Sequence, residues 1–303
     1  MFNKLPVYIL IPTHNRLDSL KRTLQSIVNL NLPDNFRYVF VLENGKPKVA
    51  GENLKEISEY SFIRYQHLEK GNKSSALNYA INSLISEENA ILIFLDDDVR
   101  VLKNLVEVYL HAIGDTTEGK YYGGPTYVDF EGKSPAEEWF RHFPNSHTGW
   151  IPNKEKGTPK YFLGFNWVAF KKDIVKAGGF EESIGPGTQF ALGDESRTQS
   201  WLLDIGAKPE FIDDATVWHF VTEEQTTPEW LLDKCIKQGK ITALNKDASL
   251  SGTTKVFNFI NILLIALVFY VLSIIFYFEK KRHAKYKVKL YRWFGRLLGN
   301  MNY

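Results

Sequence analysis

Three carboxylates stand in a row at Asp96, Asp97 and Asp98, directly after the apolar run Ile91-Leu92-Ile93-Phe94-Leu95. Oxygen ligands at that spacing suit a hard divalent cation that also holds phosphate oxygens. The run before them reads as a strand buried on both faces, and open α/β sheets gather their ligands at the carboxyl ends of such strands. Burying three unpaired carboxylates would cost several kcal/mol, so the triplet is expected to face water, a cation or both. The alternative is a solvated acidic turn ahead of a helix over Val101 to Ile113. A second pair, Asp194-Glu195, precedes a helix expected from Ser196 to Leu203. One of these acids can take a proton from an attacking hydroxyl, while Asp194 can equally cap the helix. His219 lies in the apolar run Val217-Trp218-His219-Phe220, either as a packed core residue or as a metal ligand beside a carboxylate.

Several elements must position these groups. Val7-Tyr8-Ile9-Leu10-Ile11 reads as another buried strand, ended by Pro12. The polar loop Pro12-Thr13-His14-Asn15-Arg16 then leads into a helix with Leu17, Leu20, Leu24 and Ile27 on one face. Tyr38-Val39-Phe40-Val41-Leu42 gives a third strand, which ends in Glu43-Asn44-Gly45. A further helix carries Ser75, Ala76, Leu77, Asn78 and Ile81 after the loop Lys70-Gly71-Asn72-Lys73. This alternation over residues 7–113 implies a parallel α/β half. Gly185-Pro186-Gly187-Thr188 reads as a flexible loop able to close over a ligand or as plain surface. The aromatics Trp139, Phe140, Phe143 and Trp150 stack on a sugar or fold onto the core.

Taken in order, Ile-Pro-Thr-His-Asn-Arg, Glu43-Asn44-Gly45, Lys73-Ser74-Ser75-Ala76-Leu77-Asn78, Asp96-Asp97-Asp98 and Gly193-Asp194-Glu195 resemble a family 2 glycosyltransferase of GT-A fold. The resemblance runs from residue 5 to about 240. It implies a mixed, mostly parallel, Rossmann-like α/β sheet with helices on both faces, and a metal-dependent, inverting transfer from a nucleoside-diphosphate sugar, UDP-linked by preference. Pro12, Thr13, Asn15, Arg16, Glu43, Lys73, Asp96 and Asp97 fall at donor-binding positions. Glu43 is suited to accept the N3–H of a uracil ring. Asp98 and His219 fall where Mn2+ or Mg2+ is held against the diphosphate. The family's motif runs Glu then Asp with the second acid as base, so Glu195 is the first candidate and Asp194 the second. The reversed order also leaves room for a different class, a membrane-tethered nucleotide-sugar-binding or scaffolding protein with a degenerate transferase domain.

The end of the chain changes character. Val256 to Phe278 holds no charged residue and is long enough, as a helix, to cross a bilayer. After it come Lys280, Lys281, Arg282, Lys285, Lys287, Lys289, Arg292 and Arg296 against Glu279 alone, with Val288, Tyr291, Phe294, Leu298 and Met301 on one helical face. That pattern suits an amphipathic helix on anionic membrane lipids. The expected domains are therefore a catalytic domain over 1–245, a membrane-embedded helix over 256–278 and a basic tail over 279–303. A lipid-linked or membrane-proximal glycan acceptor follows from the anchor. A net charge of +2 argues against nucleic acid as a partner, and the single cysteine, Cys235, excludes an internal disulfide. Met1 to Pro6 carries no signal-peptide pattern, which places the catalytic half on the cytoplasmic side. The positive-inside rule asks the same of the basic tail, and one simple span cannot satisfy both. Self-association is left open.

Overall fold

A computed structural model describes residues 4–46, 60–153, 155, 157–188, 190, 192–247 and 249–301. The chain divides into two compact units, the first comprising Met1–Asp129, Gly149–Gln189 and Gly193–Phe220. Its centre is the strand β1 (Val7–Thr13), buried at every position. Parallel partners flank it, β2 (Phe36–Asn44) on one side and β4 (Ile91–Phe94) on the other, with β3 (Ile63–Leu68) parallel to β2. Beyond β4 the sheet turns mixed: β8 (Trp167–Phe170) runs antiparallel to β4 and to β6 (Lys120–Gly123), and β9 (Lys208–Phe211) closes the order β3-β2-β1-β4-β8-β6-β9. A small second sheet has the order β5 (Val99–Val101), β10 (Val217–Val221), β7 (Thr126–Phe130).

Apolar residues on alternate positions of β1 enter two separate cores. Ile9 and Ile11 pack with Leu20, Leu24 and Ile27 of α1 (Leu17–Ile27), while Tyr8 and Leu10 pack with Ala76 and Leu77 of α2 (Lys73–Tyr79). This is the side-chain period of two in a strand covered on both faces. The remaining helices of this unit are α3 (Leu105–Ile113), α4 (Lys171–Ala177) and α5 (Asp194–Asp204). The helix expected from Val101 starts later. Val101 is committed to β5, where Val99 pairs with His219 and Val101 with Val217.

The second unit comprises Phe130–Thr148, Phe190–Leu192 and Val221–Tyr303. It is built on α6 (Pro228–Lys246), α7 (Gly252–Ile275) and α8 (Lys280–Asn300). Among the described residues, α7 alone is long and apolar enough to cross a membrane. It begins and ends earlier than the charge-free stretch, because Phe276 to Glu279 turn the chain back. Helix α8 then runs antiparallel to α7: the His283 Nδ1–H donates to the Ser273 carbonyl at 2.8 Å, Tyr286 stacks on Phe276 and Phe269, and the Lys289 ammonium lies 5.0 Å over the Phe269 ring. The same helix packs closely on α6. A Cβ added at Gly295 would stand 2.2 Å from the Ile236 carbonyl oxygen, so only glycine permits this approach. Asp247 just past α6 accepts from Arg296 at 2.7 and 2.5 Å and from Asn300 at 2.8 Å. Phe143, Leu231, Leu232, Cys235 and Val288 form the local core, with Trp139 packed against it. Phe143 and His147 also lie against the Trp230 ring. These aromatics are thus folded onto a core, and Trp150 likewise packs edge-on against Phe162 and Phe211 in the first unit.

Candidate functional site

Strand register brings the acid triplet to its partners. Leu10 pairs with Phe94, and the Leu95 N–H donates to the Leu10 carbonyl at 3.1 Å, so Asp96 to Asp98 emerge beside Pro12 to Arg16. Asp97 and Asp98 are only 2% and 6% exposed, in contrast to the expected solvated edge. Neighbouring groups, several of them cationic, offset the burial. Arg16 forks across the pair, Nη1 to Asp97 Oδ1 at 2.8 Å and Nη2 to Asp98 Oδ2 at 2.6 Å, and the Thr13 hydroxyl donates to Asp97 Oδ2 at 2.6 Å. Burial, then the adjacent Asp98 charge, push the Asp97 carboxyl up to about 7 against the pull of Arg16. In Asp98, burial is outweighed by His219 and Arg16, which hold the carboxyl well below the usual range.

His219 reaches this point from β10. Its Nε2 lies 3.4 Å from Asp98 Oδ2, and its ring is stacked on Phe165 at 4.8 Å. The buried Oδ1 of Asp98 has no hydrogen-bond partner among the described residues. The described residues contain no cluster of three or more His, Cys, Asp or Glu placed to hold a metal ion. A carboxylate oxygen of that kind beside an imidazole nevertheless fits a hard divalent cation whose other ligands are phosphate oxygens and water.

The opposite wall comes from α2 and α5. Asn72 caps α2 by accepting from the Ser75 N–H at 2.9 Å, which fixes Lys73 at the first turn. Its ammonium donates to Asp96 Oδ1 at 2.7 Å and to Glu195 Oε1, joining the two acidic clusters. Burial works against that ammonium, but Asp96 and Glu195 hold its pKa well above the ordinary lysine value. Asp194 and Glu195 occupy the first turn of α5, where the helix dipole favours negative charge. They are not equivalent. Asp194 is 1% exposed, and burial together with the Glu195 charge raises its carboxyl far above the usual range. For Glu195 the burial cost is exceeded chiefly by the Lys73 ammonium, and its carboxyl is held down to about 2. Room for it is made by Gly164, where a Cβ would stand 2.3 Å from Glu195 Oε1. Gln199, one turn further along α5, accepts from the Phe162 N–H at 2.7 Å and fixes that loop.

Between these walls lies a cavity of about 280 Å³ lined by Pro12, Thr13, Arg16, Lys73, Asp96 and Asp97, with Pro186 and Gly187 from the Gly185–Thr188 loop. Gly187 approaches so closely that a Cβ there would lie 1.9 Å from the Gly71 carbonyl oxygen. Asn15 does not line the cavity. It is exposed, with φ at 51°, and turns the chain into α1. Glu43, one residue before the end of β2, is buried and accepts from the Tyr65 hydroxyl. Besides Gly71, two polar lining residues carried no assigned role in the sequence: His14, whose Nδ1 donates to the Asn44 carbonyl at 2.5 Å, and Asn44, whose amide donates to the Thr13 carbonyl at 2.9 Å. The Asn44-Gly45 turn dipeptide was the one local sign of them.

The chain is similar to known proteins. A Bacillus subtilis (strain 168) protein named Probable glycosyltransferase YdaM is 24% identical over 233 residues, 74% of this chain and 52% of that protein. The chain thus spans about half the length of that relative. Among solved structures, the mannosyltransferase PcManGT from Pyrobaculum calidifontis, in complex with GDP-Man and Mn2+, superposes with a TM-score of 0.57 at 15% identity, covering 100% of this chain and 75% of the other. GalNAc-T7 with UDP, GalNAc and Mn2+ gives 0.55 at 14% identity, over 79% of this chain and 51% of its own. At such identities these two speak for the fold, which is the mixed α/β GT-A arrangement. Residues 8–176, more than half of the chain and the stretch that holds the acid triplet, match the family described as Glycosyl transferase family 2, and the chain belongs to that family.

Proposed function

We propose that the first unit is an inverting, metal-assisted glycosyltransferase that moves a sugar from a nucleoside-diphosphate sugar, UDP-linked by preference, to a hydroxyl of a lipid-linked or membrane-proximal glycan. The observation that carries this reading is a pair of ion-pair chains, Asp98–Arg16–Asp97 on one side of the site and Asp96–Lys73–Glu195 reaching across to the other. Arg16 and Lys73 supply fixed positive charge for a diphosphate, and Asp96 accepts from the ribose side of the donor. Mn2+ or Mg2+, held by Asp98 and His219, would act as a Lewis acid toward the leaving diphosphate. Glu195, ionised beside the Lys73 ammonium, takes the proton of the acceptor hydroxyl. Asp194 precedes it in the first turn of α5, buried, with its carboxyl pKa raised. Support from outside the chain comes from the nucleotide sugars and Mn2+ bound by the two similar structures. Calorimetry with UDP-, GDP- and dTDP-sugars, with and without Mn2+, followed by a transfer assay on the donor that binds, tests this reading. Absence of binding by every nucleoside-diphosphate sugar would overturn it.

The second unit supports attachment to the cytoplasmic face of a membrane. Helix α7 exposes Phe257, Leu264, Leu267, Val271 and Ile274, while Ile262, Ala266 and Ser273 are buried. A bilayer-spanning α7 would carry α8 to the far side and tear Arg296 from Asp247, or else draw Lys289 into hydrocarbon at a cost of about 3 kcal/mol. Lying in the plane of one leaflet, α7 buries its apolar stripe and keeps α8 at the headgroups. This arrangement also keeps the basic tail on the catalytic side.

A further inference from the structure

The second unit contains a cavity of about 610 Å³ between α6, α8 and the segment Arg141–Pro144, separate from the residues of the proposed transfer chemistry. Its polar lining is one-sided in sign: Arg141, Lys234, Lys285, Lys289 and Arg292, with His142 and Gln238 between them. Among the described residues no carboxylate lines it. The floor is apolar, formed by Phe143, Leu231 and Val288. Burial and then the charges of Arg141, Arg292 and Lys285 hold the His142 imidazole below its usual range. The buried Nε2 of His142 has no hydrogen-bond partner among the described residues.

Five basic side chains line this one cavity, and an anion is the ligand complementary to them. The dimensions are those of a ligand site, and the Arg141 and Arg292 guanidinium groups among the lysines suit the oxygens of a phosphate group. We propose that this cavity binds a phosphate group carried on a larger molecule, and that the carrier is an anionic lipid of the leaflet in which α7 lies. The assignment of the source rests on the in-plane reading of α7. It is favoured by Lys289, which both lines the cavity and lies over Phe269 of α7, and by the apolar floor, which suits the glycerol or acyl root of a headgroup. A free phosphate compound would use the same cations.

The test uses the full-length chain in a vesicle co-sedimentation assay. Neutral phosphatidylcholine vesicles report on α7 alone, and the gain on adding phosphatidic acid reports on the cavity. The double variant Lys285→Gln/Arg292→Gln is expected to lose about 30-fold of that gain. The control Lys280→Gln/Lys287→Gln removes the same charge from α8 outside the cavity and is expected to lose at least about tenfold less. Equal losses in the two double variants would reduce the effect to bulk electrostatics and overturn the site. Arg141→Gln, at an exposed position, repeats the test should the double variant unfold. In parallel, glycerol 3-phosphate is titrated in a thermal-shift assay. Protection that disappears in Arg141→Gln supports a phosphate site. Saturation by glycerol 3-phosphate at the concentration at which phosphatidic acid saturates would overturn the lipid source. Failure to bind neutral vesicles would count against the in-plane reading while the soluble titration still decided the cavity.

Discussion

At the scale of single residues, the two acids of the α5 turn differ in charge, and their variants are expected to separate. Glu195→Gln removes the proton acceptor without changing shape, so transfer should fall about 10²-fold or more while donor affinity in calorimetry stays within a few-fold. Asp194→Asn replaces a carboxyl already held neutral by burial and should cost less than about tenfold. The reverse pattern would exchange the roles. Asp98→Asn, nearly isosteric in its buried place, should abolish the Mn2+-dependent part of nucleotide binding and leave the metal-independent part; unchanged metal dependence would remove Asp98 and His219 from the proposed ligand set. These acids were legible in the sequence because each motif is contiguous and carries charge beside an apolar run. Tyr65, which donates to Glu43, was not, and neither was the part Gly164 plays in making room for Glu195, though Gly164 to Phe170 resembles the family's acceptor-side strand. Their proximity arises from strand register and loop closure across long stretches of chain, which local pattern does not encode.

The same limit holds for elements. Strands β1, β2 and β4 were readable as apolar runs because both faces are covered. β3 was missed since it lies at the edge of the sheet and interleaves Arg64 and Gln66 with its apolar residues. Helix α8 was legible as amphipathic, yet periodicity reveals an apolar face without revealing what covers it, and here α6 covers Val288. Two consequences of that packing can be measured. Gly295→Ala places a methyl group against the backbone of α6 and should destabilise the second unit by about 2 kcal/mol, read as a shifted denaturation midpoint of that unit. Asp247 supplies the pH dependence. Burial raises its carboxyl pKa, but hydrogen bonds from Arg296 and Asn300 outweigh that and leave it lowered. A group with a lowered native pKa contributes its full stabilisation above the unfolded value, about 3.9, and loses it as pH falls through the native value. Asp247→Asn should therefore cost about 2 kcal/mol at neutral pH, with the gap to the native protein closing below about pH 4. A gap that is constant with pH would mean that the carboxylate charge does not contribute.

For the whole molecule, the sequence posed a conflict between a cytoplasmic catalytic half, a basic tail that also belongs in the cytoplasm, and one long apolar helix between them. The conflict arises only if that helix spans. Hydropathy scores length and composition, and both are satisfied by α7, but they do not register that α8 returns along it to reach α6. Lys289 of α8 then lies over Phe269 within α7, where a span would bring it into hydrocarbon, and the Asp247–Arg296 pair ties the far end of α8 to the chain just before α7 begins. An in-plane α7 puts both ends of the helical hairpin on one face of the membrane. Cysteines introduced at Glu229, at the start of α6, and at Met301, past the end of α8, are both exposed, while the native Cys235 is buried. In right-side-out and inverted membrane vesicles, a membrane-impermeant maleimide should label both positions from the inverted side only. Labelling of Met301→Cys from the opposite side to Glu229→Cys would establish a spanning α7. It would also require that α8 leave α6, so the thermal midpoint of the second unit would then differ between detergent and membrane. Same-sided labelling with an unchanged midpoint is the outcome expected of a helix that lies in one leaflet.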